Sequence, residues 1–476
     1  MFLQSGKTKW KYLIIVLIIV VFVGSGILLF QWQMFKEIKL PIPVMPLKPS
    51  PTCLKLELDL NLVTTKLAII PEKYEYQQQV IFSPDGRRVI YVIEIPKEDY
   101  LASILVEKNQ ESELYTSVVF PVFSPDGKKL AYGATNKEGA FVIIENKKGE
   151  VYDTVWDPVF SPDSEKVAYA ALAKGEMFVV FDNKKSKPYY WVDGDSLIFS
   201  HDCQKIAFTA RKRGLSNLYF IATVDKNGET ESETYDWVSK PKFTPDDKIV
   251  YMASNFKSRD KFLIFGDKKI KLSSETDEYV DFSISPDGKK IAYLAGSVIA
   301  RNMETDEIKK GKIPLRGITS SLVFSPDSQN LAYVVEKNGK SVLILDDEES
   351  KPYDYIWPDP VFSPDSQKLA YRASDGEKIF IVINNQESQP YFSYPFPCGL
   401  GTPVYAFCET NLIFSPDSKK TAYLIEENGK FYMVVNGKKG KLYDEIVSFQ
   451  FSSDSKYLGY GAQDGKELWW IVEEIE

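Results

Sequence analysis

Phe123-Ser124-Pro125-Asp126-Gly127-Lys128-Lys129-Leu130-Ala131-Tyr132 decides the fold. Serine at the first turn position can bond a later backbone N–H, proline fixes φ at the second, aspartate suits the third and glycine the fourth. The stretch therefore reads as the end of one strand, a tight turn, and the start of a half-buried strand with alternating polarity. Continuing outward, a β-branched run at Ala140–Ile144 and a lysine-rich hairpin at 146–149 complete a four-stranded unit of about 40 residues.

The unit recurs ten times. Its first aromatic stands at Phe82, Phe123, Phe160, Phe199, Phe243, Phe324, Phe362, Phe414 and Phe451, with Ile284 filling the sixth slot. Successive spacings are 41, 37, 39, 44, 41, 40, 38, 52 and 37 residues, the length of a four-stranded propeller blade. Glycine at the turn is replaced by Ser164, Ser328, Ser366, Ser418 and Ser455, and proline is replaced by His201 and Ser453. A second mark, a tyrosine eight residues before the key phenylalanine, falls at Tyr115, Tyr152, Tyr235 and Tyr443, and Tyr74 has the same offset from Phe82. No repeat precedes Tyr74, while the last copy stops after its third strand. An orphan fourth strand near Ala68 to Tyr76 is thus expected to complete the last blade and remove an exposed sheet edge. The fold class is all-β, a β-propeller of about ten four-stranded blades over residues 68–476. Because propellers typically have four to eight blades, the units form either one large ring or two tandem rings.

The FSPDGKKLAY phrase resembles the WD-like repeat of TolB-type propellers, shared with propellers of the prolyl oligopeptidase class. The resemblance spans about 400 residues and implies the fold. The chain departs from TolB-like proteins, which carry an N-terminal α/β domain, and from the oligopeptidases, which carry an α/β-hydrolase domain.

Ahead of the repeats, Tyr12 to Phe30 forms 19 residues without a charge. As a helix this run is roughly 28 Å long, close to the hydrocarbon core of a bilayer. Lys7, Lys9 and Lys11 precede it, and the positive-inside rule puts residues 1–11 in the cytoplasm and the repeats outside. Trp32 and Phe35 suit the interface. A cleaved signal peptide, cut near Val23-Gly24-Ser25, is the competing reading, but the apolar run continues past that point. Residues 31–67 read as a linker, with five prolines between Leu40 and Pro51 favouring an extended polyproline spacer. The expected location is a single-pass membrane protein contacting the bilayer through residues 12–30.

With net charge −8 on 476 residues, and its first lysines all before the apolar run, the repeat region is acidic. It is therefore a poor partner for nucleic acid. Chemistry is sparse. The lone histidine, His201, stands in a turn where proline stands elsewhere, and no nucleophile elbow, HExxH or phosphate loop occurs. The turn aspartates lack the D-x-D-x-D spacing of a calcium loop. No cofactor, metal or enzymatic activity is expected.

The 52-residue spacing exposes an insertion near 387–410 holding Phe392, Tyr394, Phe396, Tyr405 and Phe407 between Cys398 and Cys408 or just outside them. Cys398 and Cys408 are expected to form a disulfide; Cys53 and Cys203 are a further possible pair. Trp156, Trp191, Trp237 and Trp357 lie four to eight residues before the key phenylalanine, on the connection between blades and on the same rim as the insertion. These tryptophans and the insertion aromatics are the candidate ligand-binding residues; packing between blades is the alternative for the tryptophans. The favoured function is a non-catalytic platform binding a protein or glycan in the cell envelope. The alternatives are a carboxylate-based glycan-processing enzyme, with acids such as Asp193, Asp195 and Asp359, or a structural component of an envelope complex.

Overall fold

The computed structural model describes residues 60–74, 76–97, 100–212, 218–272, 282–294, 297–314, 321–391 and 412–475. It contains ten antiparallel sheets, nine taking their strands in chain order from first to fourth and the last completed by a strand from the start of the described chain. The second blade is representative: Ser117–Phe123, Leu130–Asn136, Gly139–Ile144 and Lys147–Lys148. Its second and third strands are buried on both faces because each blade is covered by a neighbour on either side. The fourth strand is only two residues long, lysine-rich and exposed, and Lys184–Lys185 and Lys438–Lys439 repeat the pattern. Short, charged outer strands protect sheet edges from pairing with other chains.

First strands lie closest to the axis. Ile198–Phe199 approaches Lys242–Phe243, Phe282–Ile284 approaches Val323–Phe324, and Tyr76–Phe82 approaches Glu445–Phe451, each pair belonging to neighbouring blades. Strand direction alternates, so the first-to-second turns and third-to-fourth hairpins share one face, here the turn face. The second-to-third hairpins and the crossings between blades share the other, the loop face.

Thr65–Ile69 pairs with Glu467–Glu474 as the fourth strand of the last blade, with Thr65 opposite Trp470 and Ala68 opposite Leu468. This is the expected closure, displaced toward the N-terminus. Tyr74 falls in the crossing rather than in the closing strand, and Tyr76 already opens the first blade. The ring also begins before residue 68, since Leu60 is buried in the closing interface. The question of one ring or two is answered by the cores. Nine of the ten clusters of buried apolar side chains bridge two blades adjacent in the sequence, and the remaining one joins the last blade to the first through Leu468, Trp470, Phe82 and Tyr91. Two rings would need contacts that skip blades. The protein is a single closed wheel of ten.

The turns explain the serine-for-glycine pattern. In each turn the fourth residue has positive φ, from Gly127 at 75° to Cys203 at 56°, a region that costs a non-glycine residue about 1–2 kcal/mol. Where serine stands, its hydroxyl accepts the backbone N–H of the aspartate in the preceding blade's turn: Asp126 to Ser164, Asp287 to Ser328, Asp327 to Ser366, Asp365 to Ser418 and Asp417 to Ser455, all at 2.9–3.0 Å. One such bond contributes about 0.5–1.5 kcal/mol, enough to offset much of the strain. Cys203 fills the slot in the fourth turn with φ 56° and is fully buried. His201 replaces proline because its N–H is needed: it donates to Asp247 Oδ1 of the next turn at 2.5 Å. Within each turn the serine or threonine hydroxyl donates to the aspartate, as Ser325 does to Asp327 at 2.5 Å.

The tyrosine mark has an equally local cause. Tyr115, Tyr152, Tyr235 and Tyr443 exchange backbone hydrogen bonds with the first residues of a third strand, and so do Tyr189, Tyr353 and Tyr391. The last three escape a fixed offset because loop lengths after them vary. Where the tenth blade meets the first, Gly86 has φ 71° and its Hα side lies against Trp470, so that a Cβ would sit 2.0 Å from the indole. The first turn keeps glycine for that reason.

Candidate functional site

Several first strands are interrupted. In the third blade Thr154–Val155 and Val159–Phe160 pair with the same second strand, and the residues between them bulge. The bulge ends in a buried proline at Pro121, Pro158, Pro241 and Pro360, which cannot donate to the ladder. The residue before each proline is thereby placed at the inner edge of its blade: Phe120, Asp157, Lys240 and Asp359. Phe120, with φ 53°, is 52% exposed.

The fourth blade carries a longer bulge built as a 3-10 turn, Gly194–Ser196. Asp193 Oδ1 accepts the Asp195 N–H at 3.2 Å. Ser196 Oγ donates to the Asp193 carbonyl at 2.7 Å and accepts the Thr209 N–H at 2.8 Å. Gly194 packs on the face of Trp156 from the third blade, leaving no room for a Cβ. Asp157, next to Trp156, is thus brought beside Asp195. Burial first, and the Asp195 charge second, raise the Asp157 carboxyl to about 7. Burial also raises Asp193, opposed by Lys240 and reinforced by Asp195.

All four expected tryptophans are half-buried. Trp156 and Trp191 pack against the core between the third and fourth blades, and Trp237 against that between the fifth and sixth. Trp191 also meets Tyr219 edge-on at 5.9 Å. Trp357 differs: Tyr355, 48% exposed, meets it edge-on at 5.0 Å, and the Arg372 guanidinium lies 4.8 Å from its ring centre. Burial lowers Arg372 and raises Asp359, with each charge opposing the other's shift. Blade packing therefore takes up part of every tryptophan, and exposed aromatics stand beside two of them, Tyr190 next to Trp191 and Tyr355 against Trp357. Phe392, Tyr394, Phe396, Tyr405, Phe407, Cys398 and Cys408 lie outside the described residues, as do Cys53, residues 12–30 and the proline spacer.

Sequence reading missed the distribution of exposed apolar side chains. Thirteen large ones are exposed among the described residues. Nine belong to the loop face: Ile69 and Leu442 at the tenth blade's ends, Tyr100, Leu101 and Leu114 around the first blade, then Val151, Tyr190, Phe256 and Tyr355. Leu62, Val63 and Ile308 belong to the turn face, and Phe120 to the inner edge. On the loop face a cavity of about 320 Å³ opens between the third and fourth blades, lined by Lys187, Tyr190, Lys212 and Glu231. Both lysines pair with Glu231, Lys187 at 2.9 Å. No group of histidine, cysteine, aspartate or glutamate among the described residues is arranged to hold a metal ion, and no helix among them is long and apolar enough to cross a membrane.

Fold and edge geometry thus define the class: a ten-bladed β-propeller with an apolar loop face and an acidic inner edge. No family model matches the chain, and no curated protein matches it in sequence. Among solved structures it is similar to a eukaryotic initiation factor, at 13% identity and TM-score 0.40, covering 79% of this chain and 91% of that one. It is also similar to the Dos1 propeller, at 13% identity and TM-score 0.38, covering 67% and 92%. TolB from Acinetobacter baumannii matches at 16% identity and TM-score 0.27, covering 55% and 78%. At such identities the likeness says nothing of activity, ligand or partner.

Proposed function

We propose that this chain is a non-catalytic binding platform, tethered to a membrane by residues 12–30 with the ring on the extracytoplasmic side, which takes a protein or glycan partner on its loop face. The uncharged run from Tyr12 to Phe30 behind three lysines supports the tether and its orientation. The observation that carries the binding reading is the asymmetry of the wheel: nine of thirteen exposed large apolar side chains share the loop face. Exposed aromatic and apolar side chains gathered on one face favour that face as the interaction surface. The turn face is instead occupied by hydrogen-bonded turns that lock blade to blade.

The test is photo-crosslinking of the full-length chain in its native membranes. A loop-face variant, Tyr190→Ser with Tyr355→Ser, is compared with a turn-face variant, Leu62→Ser with Ile308→Ser. Loss of a crosslinked partner in the first variant alone is expected. Equal loss in both, or in neither, removes the loop face as the binding surface.

A further inference from the structure

We infer that the inner edges of the third to fifth blades form a binding site for an amino sugar, held by Asp157, Asp193, Asp195, Thr209, Trp191 and Lys240. The geometry of the fourth blade carries the inference. Val192 pairs with Ala210, both facing the third blade's core. Asp193 donates its N–H to the Thr209 carbonyl at 3.0 Å, so these two are the next cross-strand pair. Side chains alternate across a strand. Asp193 and Thr209 therefore share the face toward the fifth blade, with Cβ atoms about 4.5–5.5 Å apart. Trp191, two residues earlier and paired with Arg211, stands on the same side of the strand and meets Tyr219 edge-on, while its ring also touches the core between the third and fourth blades.

Thr209 is the telling residue. It is 4% exposed, and its hydroxyl has no hydrogen-bond partner. A buried hydroxyl without a partner costs about 1–3 kcal/mol, yet it stands beside a carboxylate in a loop pinned by four hydrogen bonds. Such a group fits a ligand hydroxyl. Lys240 reaches Asp193 electrostatically from the fifth blade, supplying a donor on the far side. Trp191 supplies an apolar face for a ring, while Asp193 and Lys240 offer an acceptor and a donor to its hydroxyls.

Charge then selects within the sugars. Asp157 and Asp195 repel each other, and no lysine or arginine among the described residues forms an ion pair with either. A protonated amine on the ligand supplies the missing cation. An anionic sugar meets three carboxylates against one lysine. The site lies at the inner edge, apart from the loop-face surface, and its failure leaves the platform reading standing.

The experiment is saturation-transfer NMR and calorimetry on the full-length chain in detergent, with a glucosamine tetramer, its fully N-acetylated counterpart, a glucuronate oligomer and 1,6-diaminohexane as probes. The glucosamine tetramer is expected to bind at least tenfold more tightly than the others. Asp195→Asn is expected to weaken it about tenfold, and Thr209→Val severalfold with the melting temperature unchanged or raised. Equal binding of the N-acetylated tetramer, equal binding of the diamine, or indifference to both substitutions overturns the proposal.

Discussion

Trp470→Ala tests how the wheel is closed. Trp470 is fully buried in the last blade. Its ring lies against Gly86 and Gly459, meets Phe82 at 6.5 Å, and its Nε1 donates to the Asn61 carbonyl at 2.8 Å. Truncating a buried tryptophan costs about 3–5 kcal/mol, and the lost hydrogen bond adds about 1 kcal/mol. The neighbouring residue provides the control. Trp469 is half-buried on the opposite side of the same strand, with Lys66 Nζ 5.0 Å from its ring, and Trp469→Ala should cost only about 1 kcal/mol. Native-state hydrogen exchange is the assay, because the loss is local before it is global. In Trp470→Ala, amides of Thr65–Ile69 and Tyr76–Phe82 should lose protection while those of the fifth and sixth blades keep theirs. Equal behaviour of the two variants, or uniform loss around the ring, would refute closure through Trp470.

Three further outcomes are expected. Ser328→Ala keeps the strained φ of 63° but loses the bond from Asp287, so it should destabilise by about 1 kcal/mol; Ser328→Gly loses both and should be nearly neutral in urea unfolding. The carboxyls of Asp327, Asp365, Asp417 and Asp454 lie below their usual value because a serine hydroxyl, and then a backbone N–H, bonds each one; with folded values depressed, their contribution is present above about pH 4 and lost as pH falls through them, so a pH series should show the ring weakening steeply below pH 4. Asp157 is raised to about 7, chiefly by burial, so its ionised form opposes folding; Asp157→Asn should stabilise most above pH 7, with the gain shrinking toward pH 4.

Much of this was legible because blades are local. The period, the turn chemistry and the Leu-Ala-Tyr second strand are written within single repeats, and each predicts a structure formed by near neighbours. Ser328 and Ser366 stood out as exceptions, but their meaning lies one blade upstream, in the N–H groups of Asp287 and Asp327. Tyr189, Tyr353 and Tyr391 were hidden by variable loops. Ring size was illegible because turn and strand patterns are the same whether five or ten blades close; it is decided by the core between the last blade and the first, where Trp470 fills the space beside Gly86. The inner-edge acids were hidden too. Asp157 and Asp195 come from different blades, and a two-residue lengthening of the fourth bulge shifts Asp195 out of alignment with its counterpart.

The central claim, one closed ring of ten, is tested most directly by electron microscopy of the purified full-length chain. Face-on class averages should show a single ring with ten lobes around one channel. Two smaller rings, or an open arc with a gap between the first and last blades, would contradict it.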